Sequence, residues 1–119
     1  AVVTSENGGV TWSAVSLDST LIEPTCQASL LRYRWPTSEY PHGILLFSNP
    51  ASVTRDHMTI RASFDDGASW PVQRLIERDS SAYSSLARLL NDEIGLLYER
   101  SNYEEIIFAR FSLDWVLNN

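Results

Sequence analysis

Ser5-Glu6-Asn7-Gly8-Gly9-Val10-Thr11-Trp12 and Ser63-Phe64-Asp65-Asp66-Gly67-Ala68-Ser69-Trp70 are two copies of one signature, Ser-x-Asp/Asn-x-Gly-x-Thr/Ser-Trp, set 58 residues apart. Each fixed position has a physical task. Gly9 and Gly67 can take the positive φ of a tight turn. Asn7 and Asp65 can bond the turn's own amides from the side chain, and the hydroxyls of Ser5, Thr11, Ser63 and Ser69 can do so more weakly. Trp12 and Trp70 are expected to bury a large ring that locks each turn against the sheet beneath. A turn of this kind repeated at this spacing predicts a β-propeller, in which four-stranded blades stack around a central axis.

Outward from the two turns, strand-length apolar runs alternate with turn signals, and no stretch sustains a 3.6-residue period. Residues 1–4 and 13–17 flank the first turn and read as the last two strands of one blade. Residues 20–25 cross to the next blade, with Pro24 unable to join a ladder. Strands over 27–34, 44–48, 58–64 and 72–77 then supply a complete blade, the first two joined by a loop over 35–43 that holds Pro36, Pro41 and Gly43. Within the third of them, Ile60, Ala62 and Phe64 alternate with Thr59, Arg61 and Ser63, as in a half-buried strand. A further blade starts at 84–90, turns at Asn91-Asp92 and continues through 94–98 and 105–113.

The expected fold class is therefore all-β: about one complete four-stranded blade and two partial ones, in a single domain over 1–119. A propeller needs at least four blades of roughly 40–50 residues each. A chain of 119 residues opening on Ala1-Val2-Val3 thus reads as the C-terminal part of a larger propeller. Such a piece is expected to need partners, either the rest of its propeller or copies of itself, because exposed strand edges and uncapped repeats associate.

The net charge of −6 argues against nucleic acid as a partner, since there is no basic excess to neutralise phosphates. All nine cationic side chains are Arg, the residue suited to forked bonds with carboxylates. One cysteine, Cys26, excludes an intrachain disulfide and reads as a small buried apolar residue. His42 and His57 lack metal-ligand spacing, so no metal and no cofactor are expected. The run Gly43-Ile44-Leu45-Leu46-Phe47 is far shorter than a membrane span.

The eight-residue signature is the Asp box (BNR repeat), and the chain resembles the sialidase (neuraminidase) superfamily in which it recurs. Three further stretches carry the resemblance, in the family's order. Ser48-Asn49-Pro50-Ala51 followed by Thr54-Arg55-Asp56-His57 is similar to the loop bearing the third arginine of the sialidase triad. Ala82-Tyr83-Ser84-Ser85-Leu86 resembles the strand start that carries the catalytic tyrosine. Leu96-Leu97-Tyr98-Glu99, with Asn102-Tyr103-Glu104-Glu105-Ile106 after it, resembles the strand whose glutamate braces the triad's first arginine. The spacings, 28 residues from Arg55 to Tyr83 and 16 from Tyr83 to Glu99, fit the family, and the resemblance covers nearly the whole chain.

The resemblance implies a six-bladed propeller in the parent. It also implies an exo-alpha-sialidase, a retaining glycosidase that releases terminal sialic acid from the glycans of glycoproteins, glycolipids and oligosaccharides. Physical chemistry accounts for the residue types. Sialic acid carries a carboxylate on its anomeric carbon, which arginines bind by paired, charge-assisted bonds. A carboxylate nucleophile would be repelled by that group, so a neutral phenol is the better attacker. A phenol ionises near pH 10 and needs an adjacent base to take its proton. Tyr83 is then the nucleophile, Arg55 the third triad arginine and Glu99 the brace. Gln27 resembles a position near the sugar pocket, though an inward strand polar group reads the same way. The glutamate base, the aspartate acid/base and the other two arginines lie upstream in the family, and nothing in this chain matches them. The isolated chain is accordingly expected to be inactive.

Each assignment has a plainer rival. Tyr83 could be a rim phenol, Arg55 a solvated loop cation, and Glu99 a surface partner of Arg100 or Arg110. Glu104-Glu105 reads as an exposed turn, and the two Asp boxes as structural. The alternative for the chain is a non-catalytic Asp-box propeller that binds glycans or proteins, since Asp boxes alone carry no function. Arg55, Tyr83 and Glu99 together favour the enzyme.

Overall fold

The computed structural model describes residues 1–118. Six antiparallel strands follow one another in a single sheet, each beside its sequence neighbours: β1 Ser29–Arg34, β2 Ile44–Pro50, β3 Asp56–Ser63, β4 Val72–Arg88, β5 Ile94–Arg100 and β6 Glu105–Phe111. A short helix, α1 Leu113–Leu117, closes the described chain. The first half of β4 pairs with β3 and the second half with β5. The meander therefore divides into a four-stranded blade and a three-stranded one that share a strand.

The shared strand departs from expectation. Two strands, 72–77 and 84–90, are one strand of 17 residues. No glycine or proline interrupts 72–88, and the polar run Arg78-Asp79-Ser80 stays extended because each side of it is held by a different neighbour. Ser80 still faces Asp56 of β3, while Ser81 already faces Arg100 of β5.

The apolar core lies between the two blades. Tyr33, Ile44, Leu46, Met58, Ile60 and Ala62 of the first pack with Leu86, Ile94, Leu96 and Tyr98 of the second and with Val116 of α1. Polar bonds stitch the same interface: Ser48 Oγ lies 2.8 Å from Ser84 Oγ, Leu86 N donates to Ser29 Oγ at 2.9 Å, and Tyr33 Oη donates to the Asp92 carbonyl. The expected alternation in β3 is half right. Ile60 and Ala62 are buried, but so are Thr59, Arg61 and Ser63 on the other face. Arg61 there donates to Asn49 Oδ1 at 3.3 Å, and Asn49 Nδ2 donates to the Ile22 carbonyl, so the 20s segment covers a face that was expected to meet water.

Both Asp boxes fold alike. Gly9 N donates to Ser5 Oγ and Thr11 N to Asn7 Oδ1, at 2.8 and 2.9 Å. Gly67 N donates to Ser63 Oγ and Ser69 N to Asp65 Oδ1 at the same two distances. Their tryptophans differ. Trp70 is only 9% exposed and packs on Phe47 of β2 at 5.7 Å, whereas Trp12 is 62% exposed. The expectation that both rings lock against a sheet holds for Trp70 and fails for Trp12. Residues 1–4 and 13–17 are not regular strands either. They share one bridge, Val2 to Ser16, and Thr4 accepts from Ser13 N. A two-stranded ribbon with Val15 and Leu17 facing water has little to hold it.

The end of the last expected strand is a helix instead. Strand β6 stops at Phe111, and Ser112 caps α1 by accepting from Trp115 N at 3.1 Å. Serine ahead of an acidic first turn is a helix-start signal, present here as Ser112 and Asp114. Trp115 packs on Phe111 and beneath the Arg74 guanidinium, 4.1 Å from the ring centroid.

The Asp65 carboxylate is held at a pKa of about 2, against an ordinary 3.8, by the Ser69 hydroxyl and amide and the Ser63 hydroxyl. A depressed folded pKa contributes stability that is complete above the ordinary value and is lost as pH falls through the folded one. Asn7 makes the corresponding bonds in the first box, donating from Nδ2 to Thr11 Oγ1. Asp65→Asn is thus expected to leave stability at pH 7 nearly unchanged while flattening its fall between about pH 4 and pH 2. Denaturant titrations of both proteins across that range check it, and equal acid losses in both would refute it.

Candidate active site

A β-bulge organises the site. Between the Ser81–Arg100 and Ser84–Tyr98 pairs, β4 has one residue more than β5, so Ala82 and Tyr83 together oppose Glu99. A bulge leaves an amide outside the ladder and re-aims its side chain. Here the Tyr83 amide donates to Glu99 Oε2 at 3.0 Å, and the next amide, that of Ser84, donates to Gln27 Oε1 at 3.1 Å. Two side chains, each far away in sequence, thus hold the backbone on which Tyr83 is mounted. Its ring stands half-exposed while its neighbours Ala82 and Ser84 are buried.

Arg55 reaches the same ring from the loop between β2 and β3. Its guanidinium carbon sits 5.6 Å from the Tyr83 ring centroid, within cation–π range. Nη1 donates to Tyr103 Oη at 2.9 Å and Nη2 to the Thr25 carbonyl at 3.0 Å. Arg55 is therefore a fixed group and not a freely solvated cation. The Tyr103 hydroxyl, foremost, raises its pKa further. A guanidinium has five N–H groups. Two are used here, which leaves one hydrogen on each terminal nitrogen to meet an incoming carboxylate.

The structure thus gathers Arg55, Tyr83, Glu99 and Gln27 from four separate segments. Cys26 borders the same place and is partly exposed, unlike the buried residue expected. Burial nevertheless pushes its thiol pKa up, with the Glu99 and Glu23 carboxylates adding to the effect and Arg55 opposing it. It stays protonated and is a poor nucleophile. Glu99 does not pair with either arginine considered for it: Arg100 binds Glu77 and Glu105, and Arg110 binds Glu93. Glu105 is not in a turn. It opens β6 and bonds Arg100 across the sheet.

His57 sits beside Arg55 with its Nδ1 2.6 Å from Asp56 Oδ1. Hydrogen bonds from Thr54 first, and His57 next, hold the Asp56 carboxyl below its usual range. Tyr103 is the participant that sequence reasoning missed. Its only signal was its place in the stretch Asn102-Tyr103-Glu104-Glu105-Ile106 that follows Glu99. Among the described residues, no group of three or more His, Cys, Asp or Glu could hold a metal, and no helix is long and apolar enough to cross a membrane.

No protein-family model matches the chain. Similar proteins are found nonetheless. Over 118 residues it is 40% identical to a sialidase of Micromonospora viridifaciens, covering 97% of this chain and 18% of that protein. It is 34% identical over 106 residues to a sialidase of Bacteroides fragilis, covering 85% and 20%. An exo-alpha-sialidase of Aspergillus fumigatus is 29% identical over 124 residues, covering 90% and 30%. Among solved structures, the Hadza microbial sialidase Hz136 superposes with a TM-score of 0.78 at 35% identity, covering 98% of this chain and 23% of that one. A leech intramolecular trans-sialidase, solved with 2,7-anhydro-Neu5Ac, superposes with a TM-score of 0.81 at 24% identity, covering 97% and 20%, a likeness of fold alone. The chain spans between 18% and 30% of the length of these three relatives. It is homologous to sialidases over nearly its whole length, and its blades are those of the sialidase propeller.

Proposed function

We propose that this chain is a portion of an exo-alpha-sialidase and supplies that enzyme's nucleophile, Tyr83, together with one carboxylate-binding arginine, Arg55. One observation carries this reading: the Arg55 guanidinium stands 5.6 Å from the Tyr83 ring, with a free N–H on each terminal nitrogen, at a bulge held by Glu99 and Gln27. The substrate class is a terminal sialic acid on a glycan. Its carboxylate meets the Arg55 fork, which sets the anomeric carbon against the Tyr83 hydroxyl. Attack by the phenol oxygen displaces the glycan and forms a glycosyl–tyrosine bond, which water then cleaves with retention.

The phenol's proton must pass to a base, and the leaving oxygen must receive one from an acid. In this reading both groups, and two more arginines, come from residues other than these 119. Glu99 has one oxygen on the Tyr83 amide and a second to offer one of those arginines. The 119 residues alone are then without turnover.

The test uses a protein that contains this chain and hydrolyses a fluorogenic sialoside. Arg55→Lys keeps the charge and loses the fork. KM is expected to rise by roughly tenfold to a hundredfold, because bidentate bonds to a charged group are the strong ones. An unchanged KM would remove Arg55 from the site and overturn the proposal.

A further inference from the structure

We infer that Tyr103 is a positioning residue for substrate-carboxylate binding, aiming the Arg55 guanidinium through its phenol oxygen. The inference rests on the function proposed above. Besides its contact with the Tyr83 ring, Arg55 makes two hydrogen bonds among the described residues, to Tyr103 Oη and to the Thr25 carbonyl, one from each terminal nitrogen. Together they fix the plane of the fork and the direction of the two remaining hydrogens. Without one of them, the guanidinium can swing about the other.

The mounting of both partners is unusual. Thr25 has φ 54°, and Ser101, Asn102 and Tyr103 are three consecutive residues at φ 52°, 53° and 72°, none of them glycine. Left-handed backbone in such residues costs energy and persists only where the surroundings demand it. Here the demand is visible. Asn102 N donates to Ser80 Oγ, and Ser80 Oγ donates to Asn102 Oδ1, which ties the 101–103 turn to β4 just before the Tyr83 bulge. The turn that presents Tyr103 is thus anchored to the strand that presents Tyr83. The Tyr103 ring is 57% exposed, so its packing alone gives no reason for a tyrosine here.

Tyr103→Phe removes the oxygen and keeps the ring. In a sialidase-active protein containing this chain, it is expected to raise KM for a sialoside about fivefold to tenfold, the scale of one hydrogen bond to a charged group. Turnover at saturation should change by less than about threefold, since Tyr103 touches neither the attacking oxygen nor the leaving group. In an Arg55→Lys background, Tyr103→Phe should add nothing, because the two changes remove one shared function. Inhibition by free sialic acid should weaken in step with KM, while the thermal unfolding midpoint stays in place.

A KM within twofold of the parent, where Arg55→Lys does raise it, overturns the inference and leaves the proposed function standing. A fall in kcat at constant KM, or full additivity with Arg55→Lys, also overturns it. Arg55→Lys without any effect takes down both.

Discussion

Tyr83→Phe is expected to lower kcat by about three orders of magnitude or more, with KM and the unfolding midpoint close to those of the parent protein. The variant lacks one atom, the oxygen proposed to attack the anomeric carbon. Everything that places the ring survives. The bulge at Ala82 and Tyr83 depends on backbone pairing with β5 and on the Tyr83 amide bonded to Glu99. The contact with Arg55 depends on the ring face. A phenyl ring retains both, so ground-state binding through Arg55 should persist while the covalent step is lost. Steady-state kinetics on a fluorogenic sialoside separate the two parameters. Turnover within tenfold of the parent would mean that another group attacks.

The selectivity of that result depends on features that differed widely in how far they could be read from the sequence. The two Asp boxes were legible because every bond in them is local: Ser63, Asp65, Gly67 and Ser69 contact one another within seven residues. The burial of their tryptophans was not, because it depends on what lies underneath. Trp70 has Phe47 beneath it, and Trp12 does not. Strand existence was legible from apolar runs, but strand ends were decided by distant partners. Polar residues around Ser80 looked like a break, and pairing to β3 on one side and β5 on the other kept the chain extended.

The candidate site shows the same division. Resemblance singled out Arg55, Tyr83, Glu99 and Gln27 one at a time. Their mutual arrangement is long-range: Gln27 bonds Ser84 across 57 residues and Arg55 bonds Tyr103 across 48. No local pattern encodes such bonds, and the bulge that frees the Tyr83 amide has no glycine or proline to announce it. Glu99 illustrates the point most clearly. Arg100 next door was the obvious partner by sequence, yet Glu77 and Glu105 take Arg100 and leave the Glu99 carboxylate to the bulge.

Gly43→Ala is expected to destabilise the fold by about 3 kcal/mol or more. Gly43 ends the 35–43 loop just before β2, with φ 70° and its amide bonded to the Tyr40 carbonyl at 2.8 Å. A Cβ there would overlap the Arg34 carbonyl oxygen and lie 3.0 Å from Trp35 C and 3.1 Å from Pro36 N. All three obstacles are backbone, so no side chain can rotate away, and the chain itself must move. The movement would fall on the Arg34–Ile44 pair, where the β1–β2 register already shifts. Gly67→Ala is the matched comparison. Its φ is 88°, but a Cβ would meet only side-chain atoms of Trp70 and Leu45 at 3.6 and 3.8 Å, ordinary contacts. That variant should cost only the left-handed backbone penalty, about 1–2 kcal/mol. Equilibrium denaturation of the two variants separates the clash from the conformation. Equal losses would mean that the loop yields freely at Gly43. A markedly larger loss for Gly43→Ala would tie the approach of β1 to β2, and with it the Ser48 hydroxyl that meets Ser84 beside the candidate nucleophile, to one missing methyl group.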